Sequence, residues 1–332
     1  MRNILDNTRR ALKDFARRNP GLRRAYHRLR GQLHRANLKT GTARRTGGVN
    51  PENIVWIFGS GRSGSTWLRS MMGEMERHRV WEEPMVGRLF GDFYAKAQEG
   101  NLLSADFIMG DPIRSGWIQS IRTFVLDGAR LSHPQLGPDH YLIVKEPNGS
   151  TGAPLLMQAL PESRMILLVR DPRDAVASSL DGAKGESWLH EWRGGDRTDR
   201  ENLADRRPDH FVRRRAASYR RHMTKAREAY EAHKGRKTLV RYEDLRADTL
   251  GVMRRVYREL GLPADEKALA RAVERHSWER LPESEKGAGR FYRKGTSGGW
   301  REDLTPGQAR IVEEVTAPLL REFYPEDGPA RP

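Results

Sequence analysis

Residues 53–66 read NIVWIFGSGRSGST, a mostly apolar run that leads directly into a glycine-rich turn. The apolar run is typical of a buried strand, and the amphipathic residues 66–75 that follow predict a helix. A glycine-rich loop between a strand and a helix offers backbone N–H groups and the positive end of the helix to an anion. The stretch therefore predicts an α/β fold with a phosphate- or sulfate-binding loop.

The loop departs from the nucleoside-triphosphatase pattern G-x-x-x-x-G-K-[ST] at one position, because Ser65 stands where that pattern has lysine. Arg62 supplies a cation from inside the loop instead. The loop therefore favours a phosphate or sulfate group that is bound without the usual lysine.

Strands and helices alternate along the rest of the chain. Three further strands are predicted, at residues 141–145, 165–169 and 237–241. Helical patterns accompany them at residues 154–160, 172–180, 210–233 and 250–260. This alternation predicts a parallel β-sheet flanked by helices, in one domain over residues 49–327 with a tail at 328–332. The charge-dense residues 181–209 are interpreted as a long connection that closes over substrate.

The basic character of the chain is concentrated at its beginning. The 332 residues carry a net charge of +16, and residues 1–48 alone contain 14 Lys and Arg against two Asp. Apolar residues at helical spacing from Leu5 to Leu33 predict an extension of two short amphipathic helices. Such an extension is expected to pack on the body or to contact an anionic membrane; nucleic acid is disfavoured because aromatic residues are not interleaved.

Features that the sequence lacks exclude some chemistry and indicate a cellular location. No cysteine is present, which excludes disulfides and thiolate chemistry. No secretory signal and no apolar run of membrane-spanning length is found, so a cytoplasmic location is expected, with peripheral membrane contact through residues 1–48. The histidines are scattered and no metal site is predicted.

Three more motifs follow the glycine loop. LLVRDPRD, residues 167–174, ends a predicted strand at Arg170, and Ser178 lies two helical turns further on. RYEDL, residues 241–245, contains Tyr242, and RKGTSGGW spans residues 293–300. Together the four motifs resemble those of sulfotransferases that use 3′-phosphoadenosine 5′-phosphosulfate (PAPS), of the bacterial or Golgi-like carbohydrate or tyrosylprotein type.

The resemblance implies a P-loop-like sulfotransferase fold and PAPS as the sulfuryl donor. The glycine loop would bind the 5′-phosphosulfate, the second and fourth motifs the 3′-phosphate, and two aromatic side chains the adenine. The residues so implied are Gly61, Arg62, Ser63, Gly64, Ser65, Thr66, Trp67, Arg170, Ser178, Tyr242, Arg293, Lys294 and Gly295. Four of them are cations, which match the roughly four negative charges of the donor. The last motif departs from the family at Gly299, where aspartate is common.

Sulfuryl transfer requires positioning, charge stabilisation and a base for the sulfuryl acceptor. By the resemblance, Arg62 and Lys145 stabilise the developing charge. The histidine base of the small-phenol branch is missing, because Pro147 occupies its position. The resemblance to tyrosylprotein-type and several carbohydrate-type enzymes implies a glutamate base just after the first helix, where residues 82 and 83 are expected. Glu83, which lies 21 residues after Arg62 as in the tyrosylprotein type, is the first candidate. Glu82 and Glu146 are the alternatives.

The sulfuryl acceptor is expected to be a small molecule, a glycan or a lipid-linked molecule with a hydroxyl or amine. Aromatic residues that either bind it or belong to the core are Phe90, Phe93, Tyr94, Trp117, Trp188 and Trp192. Two other functions stay open. One is a P-loop phosphotransferase or kinase with Asp171 as a metal-binding carboxylate, and the other is a basic anion-binding protein that acts through residues 1–48.

Overall fold

The computed structural model describes residues 49–99, 107–184, 204–290 and 292–325. The predicted helical extension at residues 1–48, the tail at 328–332, most of the predicted connection at 181–209, and Trp188 and Trp192 lie outside these residues. The domain limits at 49 and 327 accordingly remain predictions.

Five strands of the described residues form one parallel sheet in the order β2-β3-β1-β4-β5. They are β1 (Ile54–Gly59), β2 (His78–Glu82), β3 (Tyr141–Lys145), β4 (Arg164–Val169) and β5 (Lys237–Arg241). Because β1 is central, the loop that follows it opens between the ends of β3 and β4. The carboxyl ends of parallel strands share one edge of the sheet, which is where ligands bind in open α/β folds.

Helices cover both faces of the sheet in the described parts of the chain. The first six are α1 (Ser65–Met72), α2 (Val86–Glu99), α3 (Arg114–Ser132), α4 (Ala153–Ala159), α5 (Pro172–Asp181) and α6 (Pro208–Ala232). The others are α7 (Tyr242–Ala247), α8 (Thr249–Leu260), α9 (Glu266–Arg275), α10 (Trp300–Asp303) and α11 (Pro306–Phe323). None of these helices combines the length and the apolar character that crossing a bilayer requires.

The side chains of β1 explain its uniformly apolar sequence. Trp56 and Phe58 enter a core with helices α3, α4, α6 and α11, whereas Val55 and Ile57 enter a second core with α1, α8 and α9. A strand covered on both faces has no polar side to its pattern. The predicted α/β class is therefore confirmed, and the four predicted strands coincide with β1, β3, β4 and β5 within a residue.

Strand β2 was not predicted from the sequence. It pairs only with β3 at the edge of the sheet, and its residues are half-exposed after His78, so it lacks an apolar run. The sequence placed Glu82 and Glu83 just after the first helix. The structure corrects this: Glu82 is the last residue of β2 and Glu83 follows it. Both glutamates therefore lie at the carboxyl edge of the sheet, beside the end of β3.

Candidate functional site

The glycine loop adopts a conformation that requires two left-handed residues. Arg62 has φ 70° and Gly64 has φ 91°, and α1 begins at the next residue, Ser65. A Cβ atom on Gly64 would lie 2.5 Å from Cδ2 of Tyr242, so only glycine fits at this position. The Ser63 hydroxyl donates a 2.6 Å hydrogen bond to the Ser60 carbonyl and closes the loop. The loop is thus built from the β1–α1 connection and packs against Tyr242 after β5.

Positive charge gathers around Arg62. Its Nε donates to Ser178 Oγ over 3.0 Å, and its carbonyl accepts a 2.9 Å hydrogen bond from Nη1 of Arg170. Burial is the main factor that lowers the pKa of Arg62 to about 10. The positive charges of Arg170 and Arg293 lower it further. Like charges held together in this way favour the binding of an anion between them.

Arg170 has unused hydrogen-bonding capacity. It is 9 % exposed, and its Nε is buried with no hydrogen-bond partner among the described residues. Its guanidinium carbon lies 4.1 Å from the centroid of the Tyr242 ring. Buried donors in native proteins are nearly always satisfied, so an external oxygen ligand is the expected partner. This geometry fits a phosphate at Arg170 and Ser178.

The RKGTSGGW segment is fixed to α5 by one carboxylate. Asp174 is fully buried and accepts hydrogen bonds from the backbone nitrogens of Gly298 (2.7 Å) and Trp300 (2.9 Å). Arg293 pairs with Asp303, and Lys294 pairs with Glu302 at 2.6 Å and with Asp303 at 3.0 Å. Two of the four predicted donor-binding cations therefore have carboxylate partners in this structure.

Trp67 and Tyr242, which were predicted to flank the adenine, contact each other. Their ring centroids are 6.1 Å apart with an interplanar angle of 66°. Trp67 Nε1 also donates to the His276 carbonyl at 2.7 Å, which fixes the indole. In this arrangement of the rings, the adenine would lie against the pair and not between its two members.

Glu83 is held at the end of β2 by two side chains. Its Oε1 lies 2.6 Å from Nζ of Lys145, and its Oε2 accepts a 2.8 Å hydrogen bond from Nδ2 of Asn148. Glu83 has φ 45°, and its backbone nitrogen donates to the Lys145 carbonyl. Its side chain is 30 % exposed, whereas that of Lys145 is 6 % exposed. The structure therefore brings Lys145 and Glu83, two of the predicted catalytic residues, into contact.

The two alternative glutamates have other partners. Glu82 pairs with Arg69 at 2.5 Å and lies 3.4 Å from Lys145. Glu146 is fully buried and accepts hydrogen bonds from the backbone nitrogens of Met85 and Gly87 at the start of α2. Burial raises the pKa of Glu146 to about 7, although these hydrogen bonds oppose the rise. The Glu146 carboxylate therefore binds the backbone at the start of α2.

Two further residues at the loop, Asn148 and Arg215, have no signal in the sequence. The Oδ1 of Asn148 would lie 3.2 Å from a Cβ on Gly61, so Asn148 links Glu83 to the loop. Nη2 of Arg215 would lie 3.7 Å from that Cβ and donates to Ser179 Oγ at 3.3 Å. Arg215 follows two other arginines on α6, and only the helical phase distinguishes it from them.

Four of the aromatic residues proposed for the sulfuryl acceptor are described. Trp117 is buried, and Phe90 and Tyr94 pack against the same core. Phe93 is 55 % exposed and lies 5.9 Å from the Phe107 ring. Most of these side chains therefore serve packing. Within the described residues, no group of three or more His, Asp or Glu side chains could hold a metal ion.

Comparison with known proteins connects this geometry to one family. Residues 55–266 match the model of the sulfotransferase family. The structure is similar to sulfotransferase STF9 from Mycobacterium avium, with a TM-score of 0.54 and 17% identity over 88% of this chain and 81% of that chain. It is also similar to mouse sulfotransferase SULT7A1 complexed with PAP, with a TM-score of 0.50 and 13% identity over 84% and 87%. No curated protein matches the sequence. At these identities the two structures support the fold.

Proposed function

The chain belongs to the sulfotransferase family and is an enzyme of that family, and we propose that it transfers the sulfuryl group of PAPS to a hydroxyl or amine. The observation that carries this proposal is the Glu83 carboxylate. It is held by Lys145 and Asn148 on one side of the glycine loop, while Arg62 and Arg170 gather on the other side. The proposed base and the proposed anion site thus lie on two sides of the same loop.

The described residues fit the donor. Backbone N–H groups of the loop and the start of α1 suit the 5′-phosphosulfate. The unsatisfied Nε of Arg170, with Ser178 nearby, suits the 3′-phosphate, and Trp67 and Tyr242 offer aromatic surface to the adenine. The mouse relative, whose structure contains PAP, gives the same donor class as precedent.

The reaction is an in-line displacement at sulfur. The oxygen or nitrogen of the sulfuryl acceptor forms a bond to sulfur, and the bond from sulfur to the 5′-phosphate oxygen breaks. The proton of the attacking group passes to Glu83, and the electron pair of the broken bond stays on the phosphate. Arg62 stabilises that negative charge from within the loop.

Lys145 and Asn148 orient the base. Both carboxylate oxygens of Glu83 have a donor, at 2.6 Å and 2.8 Å, which fixes the plane of the carboxylate. The Lys145 ammonium is nearly buried and also stabilises charge at the reaction centre. Each carboxylate oxygen has a second lone pair, to which the proton of the attacking group can pass.

A P-loop phosphotransferase is the less favoured function. Asp171, which would serve as its metal-binding carboxylate, forms a 2.7 Å ion pair with Arg173 and caps α5 through the Arg173 nitrogen. Ser65 in place of the loop lysine also disfavours nucleoside triphosphate.

The sulfuryl acceptor in this proposal is a small molecule, a glycan or a lipid-linked hydroxyl. The proposal includes a cytoplasmic location with peripheral contact between the basic residues 1–48 and an anionic membrane. Flotation with phosphatidylglycerol vesicles, compared between the full chain and one lacking residues 1–48, tests that contact. Equal flotation of the two chains would refute it.

Thermal unfolding tests the donor. A ligand at 100 times its Kd adds about 2.7 kcal/mol to the free energy of unfolding. We expect 3′,5′-bisphosphoadenosine (PAP) to raise Tm with or without EDTA, and the Arg170→Gln variant to lose that rise. The control is Arg258→Gln, which changes an exposed arginine of α8 and should keep it. A rise with ATP–Mg alone would overturn the proposal in favour of a phosphotransferase.

A further inference from the structure

The glycine loop has two distinct sides. The Cβ direction of Gly64 points at Tyr242, on the side of Arg170 and the adenine-facing aromatics. The Cβ direction of Gly61 points at Asn148 and Arg215. Asn148 is bonded to Glu83, so Arg215 lies on the same side of the loop as the proposed base.

Arg215 is a cation that no donor-binding motif accounts for. It is half-buried on α6, and its Nη2 is anchored on Ser179 Oγ at 3.3 Å. Ser179 adjoins Ser178, the partner of Arg62. The guanidinium is thus held in place by α5 at the point where α6 passes the loop.

Helix α2 contributes a second cation. Arg88 is 58 % exposed and pairs with Asp92 at 3.1 Å. Asp92 also accepts a 2.6 Å hydrogen bond from Thr151, in the turn Pro147–Gly152 that contains Asn148. A Cβ on Gly87 would lie 2.1 Å from the Gly149 carbonyl, so α2 packs directly on this turn. Arg88 is therefore connected, through Asp92 and Thr151, to the turn that contains Asn148.

A buried histidine of α6 lies close to charged groups of both α2 and α6. His222 lies seven residues after Arg215 on the same face of α6 and is buried. Burial first, and then the charges of Arg221 and Arg215, lower the pKa of His222 to about 4. Arg88 lowers it further and Asp92 raises it. At neutral pH the histidine is therefore uncharged and adds no positive charge beside Arg215 and Arg88.

We propose that the surface between α2 and α6 beside Glu83 is a subsite for an anionic group of the sulfuryl acceptor, with Arg215 as its principal ligand and Arg88 beside it. The inference rests on the proposed function. It assigns a substrate class: molecules that carry a carboxylate, phosphate or sulfate close to the hydroxyl that is sulfated. Planar guanidinium groups bind such oxyanions in bidentate geometry.

Matched probe pairs test the subsite by calorimetric titration of the full chain saturated with PAP. The first pair is 4-nitrophenyl β-glucuronide and 4-nitrophenyl β-glucoside, which differ in one carboxylate. The second pair is glycerol 3-phosphate and glycerol, which represents a lipid headgroup. We expect the anionic member of at least one pair to bind about tenfold more tightly or better. The pair that shows the preference identifies the source of the anion.

The variant Arg215→Gln should lose this preference and keep its affinity for PAP, whereas Arg215→Lys should retain part of the preference. The control is Arg213→Gln, because Arg213 is exposed on the opposite side of α6 and should behave as wild type. Unchanged Tm of the unliganded variants checks that they fold.

Equal binding of both members of each pair, or binding of neither, overturns the inference. It is also overturned if Arg215→Gln weakens PAP binding and leaves the preference intact, since Arg215 would then belong to the donor site. If the wild type fails to bind PAP, the proposed function falls and the subsite falls with it.

Discussion

The two sides of the glycine loop differ in how their residues are supplied. On the Gly64 side, Arg170, Ser178 and Tyr242 come from segments that directly follow strands β4 and β5. On the Gly61 side, Arg215 comes from the interior of a long helix, two turns after its start, and Asn148 comes from a turn. The proposed nucleotide side is thus built from segments that follow strands, whereas the proposed acceptor side is assembled from a helix face and a turn.

The largest expected effect comes from a change to the proposed base, Glu83, on the Gly61 side of the loop. Glu83→Gln keeps the hydrogen-bond acceptor for Asn148 but removes the base, so kcat should fall by about 10²–10⁴-fold. The affinity for PAP should stay the same, because the donor side is untouched. The measurement is transfer of label from radiolabelled PAPS to the probe that binds, together with PAP titration.

Glu82→Gln is the matched control for this change, since Glu82 adjoins Glu83 and its main partner is Arg69. A Glu83→Gln enzyme that turns over normally, beside an inactive Glu146→Gln enzyme, would show that the base had been wrongly assigned.

An intermediate effect is expected on the Gly64 side. Asp174→Asn leaves one partly buried backbone N–H, of Gly298 or Trp300, without its carboxylate partner and loosens the segment that carries Arg293 and Lys294. PAP affinity should fall by about tenfold to a hundredfold, which calorimetry can measure.

The opposite change, Glu302→Gln, removes an exposed competitor for Lys294 and should leave PAP affinity equal or higher. If both variants bind PAP as the wild type does, residues 293–300 take no part in donor binding.

The smallest effect concerns pH and Glu146. Because burial raises its folded pKa to about 7, its contribution to stability is fully present below its unfolded pKa and is lost as pH rises through 7. Glu146→Gln, which cannot titrate, should be less stable than wild type at pH 5. The Tm difference should shrink by a few degrees towards pH 8. A difference that is constant between pH 5 and pH 8 would contradict the raised pKa.

Local sequence was sufficient where a residue's role depends on its immediate neighbours. The strand, glycine loop and helix around Arg62, and the position of Arg170 at the end of β4, follow from short-range pattern. Strand β2 did not, because an edge strand that is half-exposed has no apolar run. Arg215 did not either, because three consecutive arginines differ only in which side of the folded helix they occupy. The partners of Arg293 and Lys294 depend on α10, whose packing the sequence does not encode locally.

Lys145 and Glu146 are consecutive residues with divergent tasks: one holds the Glu83 carboxylate, and the other holds the first backbone nitrogens of α2. A single peptide unit thus joins the partner of the proposed base to the helix that borders the proposed acceptor subsite. For protein engineering, α2 and residues 145–152 should therefore be exchanged together. Grafting that unit between homologues transfers helix and anchor as one piece, whereas grafting the helix alone separates it from its anchor.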